Sequence, residues 1–329
     1  MTTIGLLGAG TVGSALIKLL AARDELDITI GKALVRDRHK PREFPEQLLT
    51  TDPDDVLDSS DLLVEVMGGV TLASTLMLRA LEQGLPVVTA NKAALAERWC
   101  DFVPYMQQGR LYFEAAVMAG TPVINPITSV LRGSRPIELH AILNGTCNYI
   151  LGALERGVPY ASALSEAQRL GYAEADPTLD VGGFDAAHKL TLLAKLAFDP
   201  AISWAQVKQH TKGISHLTPA LLQDAMQRGG RIRLVGSIYP ANGWTARVRP
   251  VFLPGHHPLA QAASNRNALY FRGDAVGEVM ITGAGAGGAA TASGVLADVI
   301  TALAQRPGPA PLSIAAPLPE MSVDVLEAY

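Results

Sequence analysis

Thr3-Ile4-Gly5-Leu6-Leu7-Gly8-Ala9-Gly10-Thr11-Val12-Gly13-Ser14-Ala15-Leu16 decides the fold of this chain. Residues 3–8 are apolar and compact enough for a buried strand, and the glycine run passes straight into a helical pattern at Ala15, Leu16, Leu19 and Leu20. Strand, glycine turn and helix form the context that lifts G-x-G-x-x-G above a chance match. Gly8 and Gly10 allow a tight turn and close backbone approach to a pyrophosphate, and the helix start offers free N–H groups and partial positive charge. The segment predicts a dinucleotide held by Gly8, Gly10, Thr11, Val12 and Gly13. A purely structural glycine turn is the alternative.

Outward from it the strand-helix alternation continues. A second strand, about Ile28 to Val35, ends at Arg36-Asp37-Arg38-His39-Lys40-Pro41-Arg42. There an arginine accommodates the 2′-phosphate of NADP and an acid favours NAD. Arg36 and its basic neighbours point to NADP, Asp37 leaves NAD open, and a solvated basic loop is the plain alternative. Asp61 to Gly69 reads as a third strand, Leu72–Gln83 as a helix, and Gly84 to Lys92 as a strand with Asn91 and Lys92 at its carboxyl end. Open parallel sheets bind ligands outside those ends, which places Lys92 toward cofactor and substrate unless Asn91 only caps a helix. Leu111 to Pro122 reads as a fifth strand and its loop. The fold class is therefore α/β, a Rossmann-type doubly wound parallel sheet.

Past Pro122 the alternation loosens. Pro136–Leu143, Ile232–Tyr239, Thr245–Leu253, Ala268–Phe271 and Glu278–Ile281 read as strands of a mixed or antiparallel sheet, with helices between them. This predicts a second, α+β unit. The expected boundaries are a dinucleotide domain over 1–124 completed by a helix at 289–305, the second unit over 125–288, and a Pro-rich tail over 306–329. Glycines 283–288, Gly285 among them, read as the chain returning toward the cofactor or as a plain hinge.

The second unit holds Gly171-Tyr172-Ala173-Glu174-Ala175-Asp176-Pro177, then Asp180-Val181-Gly182-Gly183-Phe184-Asp185-Ala186-Ala187-His188-Lys189. Pro177 and the glycine pair make 172–183 irregular, and Phe184–Phe198 reads as a helix with apolar positions at Phe184, Ala187, Leu190, Ala194 and Ala197. Asp185 and Lys189 then share a face one turn apart, either as a solvated ion pair or as acid-base machinery. Glu174, Asp176 and Asp180, three carboxylates on the glycine-hinged loop just ahead of that helix, favour the latter. Thr146 and Asn148, in Asn144-Gly145-Thr146-Cys147-Asn148-Tyr149, could hold a polar substrate or cap a helix.

G-Y-x-E-x-D-P followed by D-x-x-G-x-D-x-x-x-K, with T-x-N-K at 89–92 and N-G-T-x-N-Y at 144–149, resembles the homoserine dehydrogenases from about residue 4 to 300. The resemblance implies reversible hydride transfer between L-aspartate 4-semialdehyde and L-homoserine, on the route to threonine, methionine and isoleucine. Lys189 is then the proton donor, Asp185 orients it, and Lys92 adds positive charge. Glu174, with Asp180 second, meets the substrate ammonium, and Thr146 and Asn148 lie on the substrate side. A monovalent cation such as sodium would sit at Glu114, Val117, Ala119 and Thr121, although Met118 and Thr121 depart from the commoner choices there. The resemblance also implies a homodimer, with the second unit carrying substrate binding, catalysis and the dimer contact. Family members often carry a C-terminal regulatory domain, and this chain is expected to end before one.

Composition sets the outer limits. The 329 residues are 48% hydrophobic and 18% charged with net charge −4, which gives a sizeable core and no electrostatic footprint for nucleic acid. No apolar run reaches a membrane span, nothing suggests export, and Cys100 and Cys147 make neither a disulfide framework nor a metal cluster, so a cytoplasmic enzyme is expected. The histidines, His188 included, fall into no ligand pattern. Two rivals remain: an acylating aldehyde dehydrogenase using Cys147 as nucleophile, and a non-catalytic dinucleotide sensor.

Overall fold

The computed structural model describes residues 1–173, 175–262 and 264–311. Along the chain run β1 (Thr2–Leu7), α1 (Thr11–Ala21), β2 (Ile28–Leu34), β3 (Leu49–Thr50), α2 (Pro53–Leu57), β4 (Leu62–Glu65) and α3 (Thr71–Glu82). β5 (Val87–Thr89), α4 (Lys92–Glu97), α5 (Trp99–Gln107), β6 (Leu111–Tyr112) and α6 (Ile124–Thr128) follow. Then come β7 (Pro136–Ile142), α7 (Gly145–Glu155), α8 (Tyr160–Arg169), α9 (Thr178–Val181), α10 (Phe184–Ala197), α11 (Trp204–Gln209) and α12 (Pro219–Gln227). β8 (Gly230–Pro240), β9 (Trp244–Pro254), β10 (Arg266–Gly273), β11 (Gly277–Ala284) and α13 (Gly288–Leu303) complete the order.

Two compact units emerge, one over Met1–Asn125 with Ala286–Pro311, the other over Pro126–Gly285. The first is a six-stranded sheet in the order β3-β2-β1-β4-β5-β6, parallel in every pair. The order reverses between β1 and β4, which opens a crevice at their carboxyl ends, where the first glycine turn lies. Ile4, Leu6, Val64 and Val88 from the sheet pack with Leu16 of α1 and with Val295, Leu296 and Val299 of α13 in one core. α13 therefore completes this unit although it lies far along the chain.

Three features of the first unit differ from the sequence reading. β3 is a two-residue edge strand defined by pairing with β2, and so carries no periodicity of its own. The expected fifth strand shrinks to Leu111–Tyr112 and gives way to a 3₁₀ turn over Glu114–Ala116, where Glu114 N donates to Asp298 Oδ2 of α13 at 2.7 Å. Helices α4 and α5 fill the stretch between β5 and β6, with Pro104 inside α5.

The second unit is a five-stranded antiparallel sheet in the order β11-β10-β7-β8-β9. Alternation divides its two faces. Gly236 of β8 approaches Leu190 of α10, since an added Cβ would lie 3.0 Å from the leucine methyl, whereas Ile142, Val235, Val251 and Tyr270 form a separate cluster. α10 is not the one-sided helix that five apolar positions suggest, because every residue from Ala186 to Ala197 is buried. Its polar members are satisfied internally: Thr191 Oγ1 donates to Ala187 O, and Lys195 Nζ to Pro200 O. Among the described residues, no helix is long and apolar enough to cross a membrane.

Candidate active site

In the first unit the glycine turn follows from sterics. Gly8 has φ +107°, and a Cβ there would lie 2.8 Å from the Met67 backbone. One on Gly13 would lie 2.3 Å from Gly8 O, whereas Gly10 has nothing within 4 Å and faces open space. Gly10 caps α1 with no side-chain hydrogen bond, so the helix start is available to an anion. These residues border an open cleft of about 1540 Å³, lined by Gly8, Gly10, Thr11 and Arg36 together with Lys40 and Arg42. Asp37 lines it too, but its carboxylate accepts from His39 N at 2.8 Å and its carbonyl from Arg42 Nη1 at 2.9 Å, so it also folds the basic loop. Val12 packs on the core, Gly13 fits α1 to the turn, and neither Lys92 nor Gly285 belongs to the cleft lining. A dinucleotide fits this donor set: bare backbone at the pyrophosphate and cations beyond the second strand.

The carboxyl ends of β4 and β5 are tied together by Glu65, which is fully buried. Oε1 accepts from Met67 N and Gly68 N at 3.0 Å, and Oε2 from Thr89 Oγ1 at 2.6 Å. Burial raises this carboxyl above the usual range, and these hydrogen bonds pull the other way. Asn91 caps α4, accepting from Ala94 N, and donates to Gly69 O at 2.7 Å. Lys92 opens that helix, half-buried, beside the frame.

Glu114 is also buried, and its carboxylate accepts from the N–H groups of Val123, Ile124 and Asn125 at 2.6–2.8 Å. Met118 and Ala119 take left-handed φ of 58° and 54° in the loop between, which also holds Val117 and Thr121. Burial raises Glu114, and it raises Asp298 well above the ordinary carboxyl value, with the charge of Glu114 adding to the effect. A carboxyl raised in the folded state contributes stability at acid pH that is lost as pH climbs through the folded value. Asp298→Asn keeps the acceptor for Glu114 N and removes the charge. Its melting temperature is expected to match the parent near the usual carboxylate range and to exceed it increasingly as pH rises above that range, by thermal melts. Parallel curves at every pH would contradict this.

The second unit gathers part of the acidic loop. Lys189 is 7% exposed, and its Nζ donates to Asp185 Oδ2 and to Leu143 O, each at 2.8 Å. The pair is a buried ion pair, not a solvated one. Asp180, on the single turn of α9 that replaces the irregular loop, joins it through Asn144, whose Nδ2 donates to Asp180 Oδ1 at 2.7 Å and Asp185 Oδ2 at 3.0 Å. Asn267 Nδ2 reaches the same Leu143 carbonyl at 2.9 Å, and Gly285 is confined against that amide.

The other expected substrate residues lie differently. Thr146 Oγ1 donates to Tyr172 O at 2.6 Å, and Asn148 Nδ2 spans Ala262 O and Arg266 O, holding the turn before β10. Glu174 lies outside the described residues. Cys147 is fully buried, donates to Asp180 O at 3.1 Å, and has its thiol pushed well up by burial and then by Asp180 and Asp185. That environment opposes a nucleophilic thiolate. Sequence reasoning passed over Asn144, Asn267, Glu65 and Asp298. The signals available were an Asn-Gly at a strand end and acids inside apolar runs.

A dinucleotide cleft in one unit and a buried carboxylate-lysine pair in the other define an NAD(P)-dependent oxidoreductase of the alcohol-carbonyl class. The homoserine dehydrogenase family model matches residues 122–300, and that of the homoserine dehydrogenase NAD-binding domain matches residues 8–103. The homoserine dehydrogenase of Corynebacterium glutamicum is 41% identical over 318 residues, 91% of this chain and 71% of that one. The Bacillus subtilis enzyme is 38% identical over 91% of this chain and 72% of its own. The solved homoserine dehydrogenase of Thiobacillus denitrificans superposes with TM-score 0.86 at 39% identity, covering 91% of this chain and 72% of that structure. The chain belongs to the homoserine dehydrogenase family.

Proposed function

We propose that this enzyme interconverts L-homoserine and L-aspartate 4-semialdehyde with NADP, on the route to threonine, methionine and isoleucine. The carrying observation is Lys189, held at 2.8 Å from Asp185 on a buried helix. The nicotinamide, when bound, exchanges a hydride with the carbon bearing the substrate oxygen. Lys189 in its neutral form takes the hydroxyl proton in oxidation, and as ammonium returns it in reduction. Asp185 fixes the position of Nζ. Lys92, at the carboxyl end of β5, adds positive charge where parallel sheets present ligands. Asp180 and Glu174 replace the water shell of the substrate ammonium, and Thr146 and Asn148 shape that side of the site.

NADP over NAD rests on Arg36, Lys40 and Arg42 along the cleft, since a guanidinium meets a phosphate dianion with charge-assisted bonds. Initial rates with L-homoserine and each nucleotide test this. Arg36→Ala is expected to raise KM for NADP about tenfold to a hundredfold with KM for NAD nearly unchanged. Equal effects on both would remove Arg36 from phosphate recognition.

A sodium-sized cation among the Val117, Ala119 and Thr121 carbonyls beside Glu114 is the finer proposal for the first unit. Left-handed backbone at Met118 and Ala119 and two adjacent buried carboxyls, Glu114 and Asp298, support it. We place the enzyme as a homodimer in a reducing cytoplasm, in keeping with its two unpaired cysteines.

A further inference from the structure

Asn144 lies at the end of β7, 4% exposed, as the N-cap of α7, and nothing about capping requires what the rest of its side chain does. Oδ1 accepts from Cys147 N at 2.8 Å. The amide nitrogen then faces two carboxylates, Asp180 Oδ1 at 2.7 Å and Asp185 Oδ2 at 3.0 Å. This assignment of oxygen and nitrogen is forced, because a backbone N–H needs an acceptor and two carboxylate oxygens need donors. A single NH₂ group therefore spends both hydrogens on acids from two different elements, α9 and α10. The oxygen of Asp185 that it touches is the one bound to Lys189.

We infer that Asn144 is a positioning residue of the reaction: its amide holds Asp180 and Asp185 together and sets how strongly Asp185 grips Lys189. The inference rests on the reading of Lys189 as the proton-transfer group. Two like charges held close repel, and the shared donor offsets that repulsion while keeping the pair oriented. By drawing electron density from Asp185 Oδ2, it weakens the hold of that oxygen on the ammonium. Leu143 O is the other acceptor that holds Nζ in place. Among the described residues, the Cys147 thiol of α7, bonded to Asp180 O, also faces the cluster, with the Tyr160 hydroxyl beyond it.

Serine separates capping from positioning, because it keeps an N-cap acceptor and lacks the amide donors. Asn144→Ser is expected to melt close to the parent. Its kcat for homoserine oxidation should fall about tenfold to a hundredfold, through a misplaced reacting group. The limb on which that rate rises with pH should move upward, because an Asp185 freed from the shared donor grips the ammonium more tightly. An activity-independent readout accompanies it. Amide hydrogen exchange over residues 178–183 should speed up about tenfold as α9 loses its tether, while the Cys147 amide stays protected. Parent-like kinetics and exchange in Asn144→Ser would reduce Asn144 to a helix cap and overturn the inference. If the parent did not oxidise homoserine but the variant still released residues 178–183, the tether would stand and the reading of the reaction would fall.

Discussion

Replacing Lys189 with alanine is expected to lower kcat for homoserine oxidation about 10²–10⁴-fold, the range for losing a positioned general base. The dinucleotide dissociation constant, measured by fluorescence, should not change, because Lys189 is not among the residues that line the cleft. Lys189→Arg should not rescue the rate, since a guanidinium does not give up its proton near neutral pH. The ammonium also neutralises Asp185, whose side chain is 13% exposed. Breaking one partner of such a pair costs about 3–5 kcal/mol, so Lys189→Ala should melt earlier and its kinetics belong well below that temperature. A folded Lys189→Ala variant that kept a tenth or more of the parent kcat would remove Lys189 from proton transfer.

The second large effect concerns stability. Glu65→Ala is expected to cost about 3–5 kcal/mol in urea unfolding, because one truncation strands several buried donors at once. The Met67 and Gly68 amides, the Thr89 hydroxyl and the Asn91 amide all converge on this carboxylate. Glu65→Gln keeps the acceptor for the two backbone amides and should cost only about 1 kcal/mol. An alanine variant with the parent's urea midpoint would mean that the β4 and β5 ends hold their shape without Glu65.

Glycine geometry explains why the first unit was so legible. Any other residue type is excluded at Gly8 and Gly13 by contacts within a few positions or with Met67 just after β4, so the motif carries its own structure. The pair Asp185 and Lys189 was legible as well, since spacing on a helix is local. Other features depend on partners distant in sequence. β3 exists because β2 lies beside it, and the segment after Tyr112 turns early because Asp298, 184 residues on, accepts from Glu114. α10 reads as amphipathic, yet it is buried all around, because its lysines find partners inside: Lys189 meets Asp185 and Leu143 O, and Lys195 meets Pro200 O. No pattern in the sequence announces a backbone carbonyl. Asn144 lay in plain view within an Asn-Gly pair, but its two carboxylate partners stand 36 and 41 residues away.

The measurement that bears most directly on the central claim is the appearance of reduced nicotinamide when the parent protein meets L-homoserine and NADP. The account predicts turnover at about 1–10³ per second. It also predicts the reverse reaction with L-aspartate 4-semialdehyde and NADPH. A protein that binds the dinucleotide tightly yet turns over in neither direction would contradict it, and would leave a dinucleotide sensor as the better description.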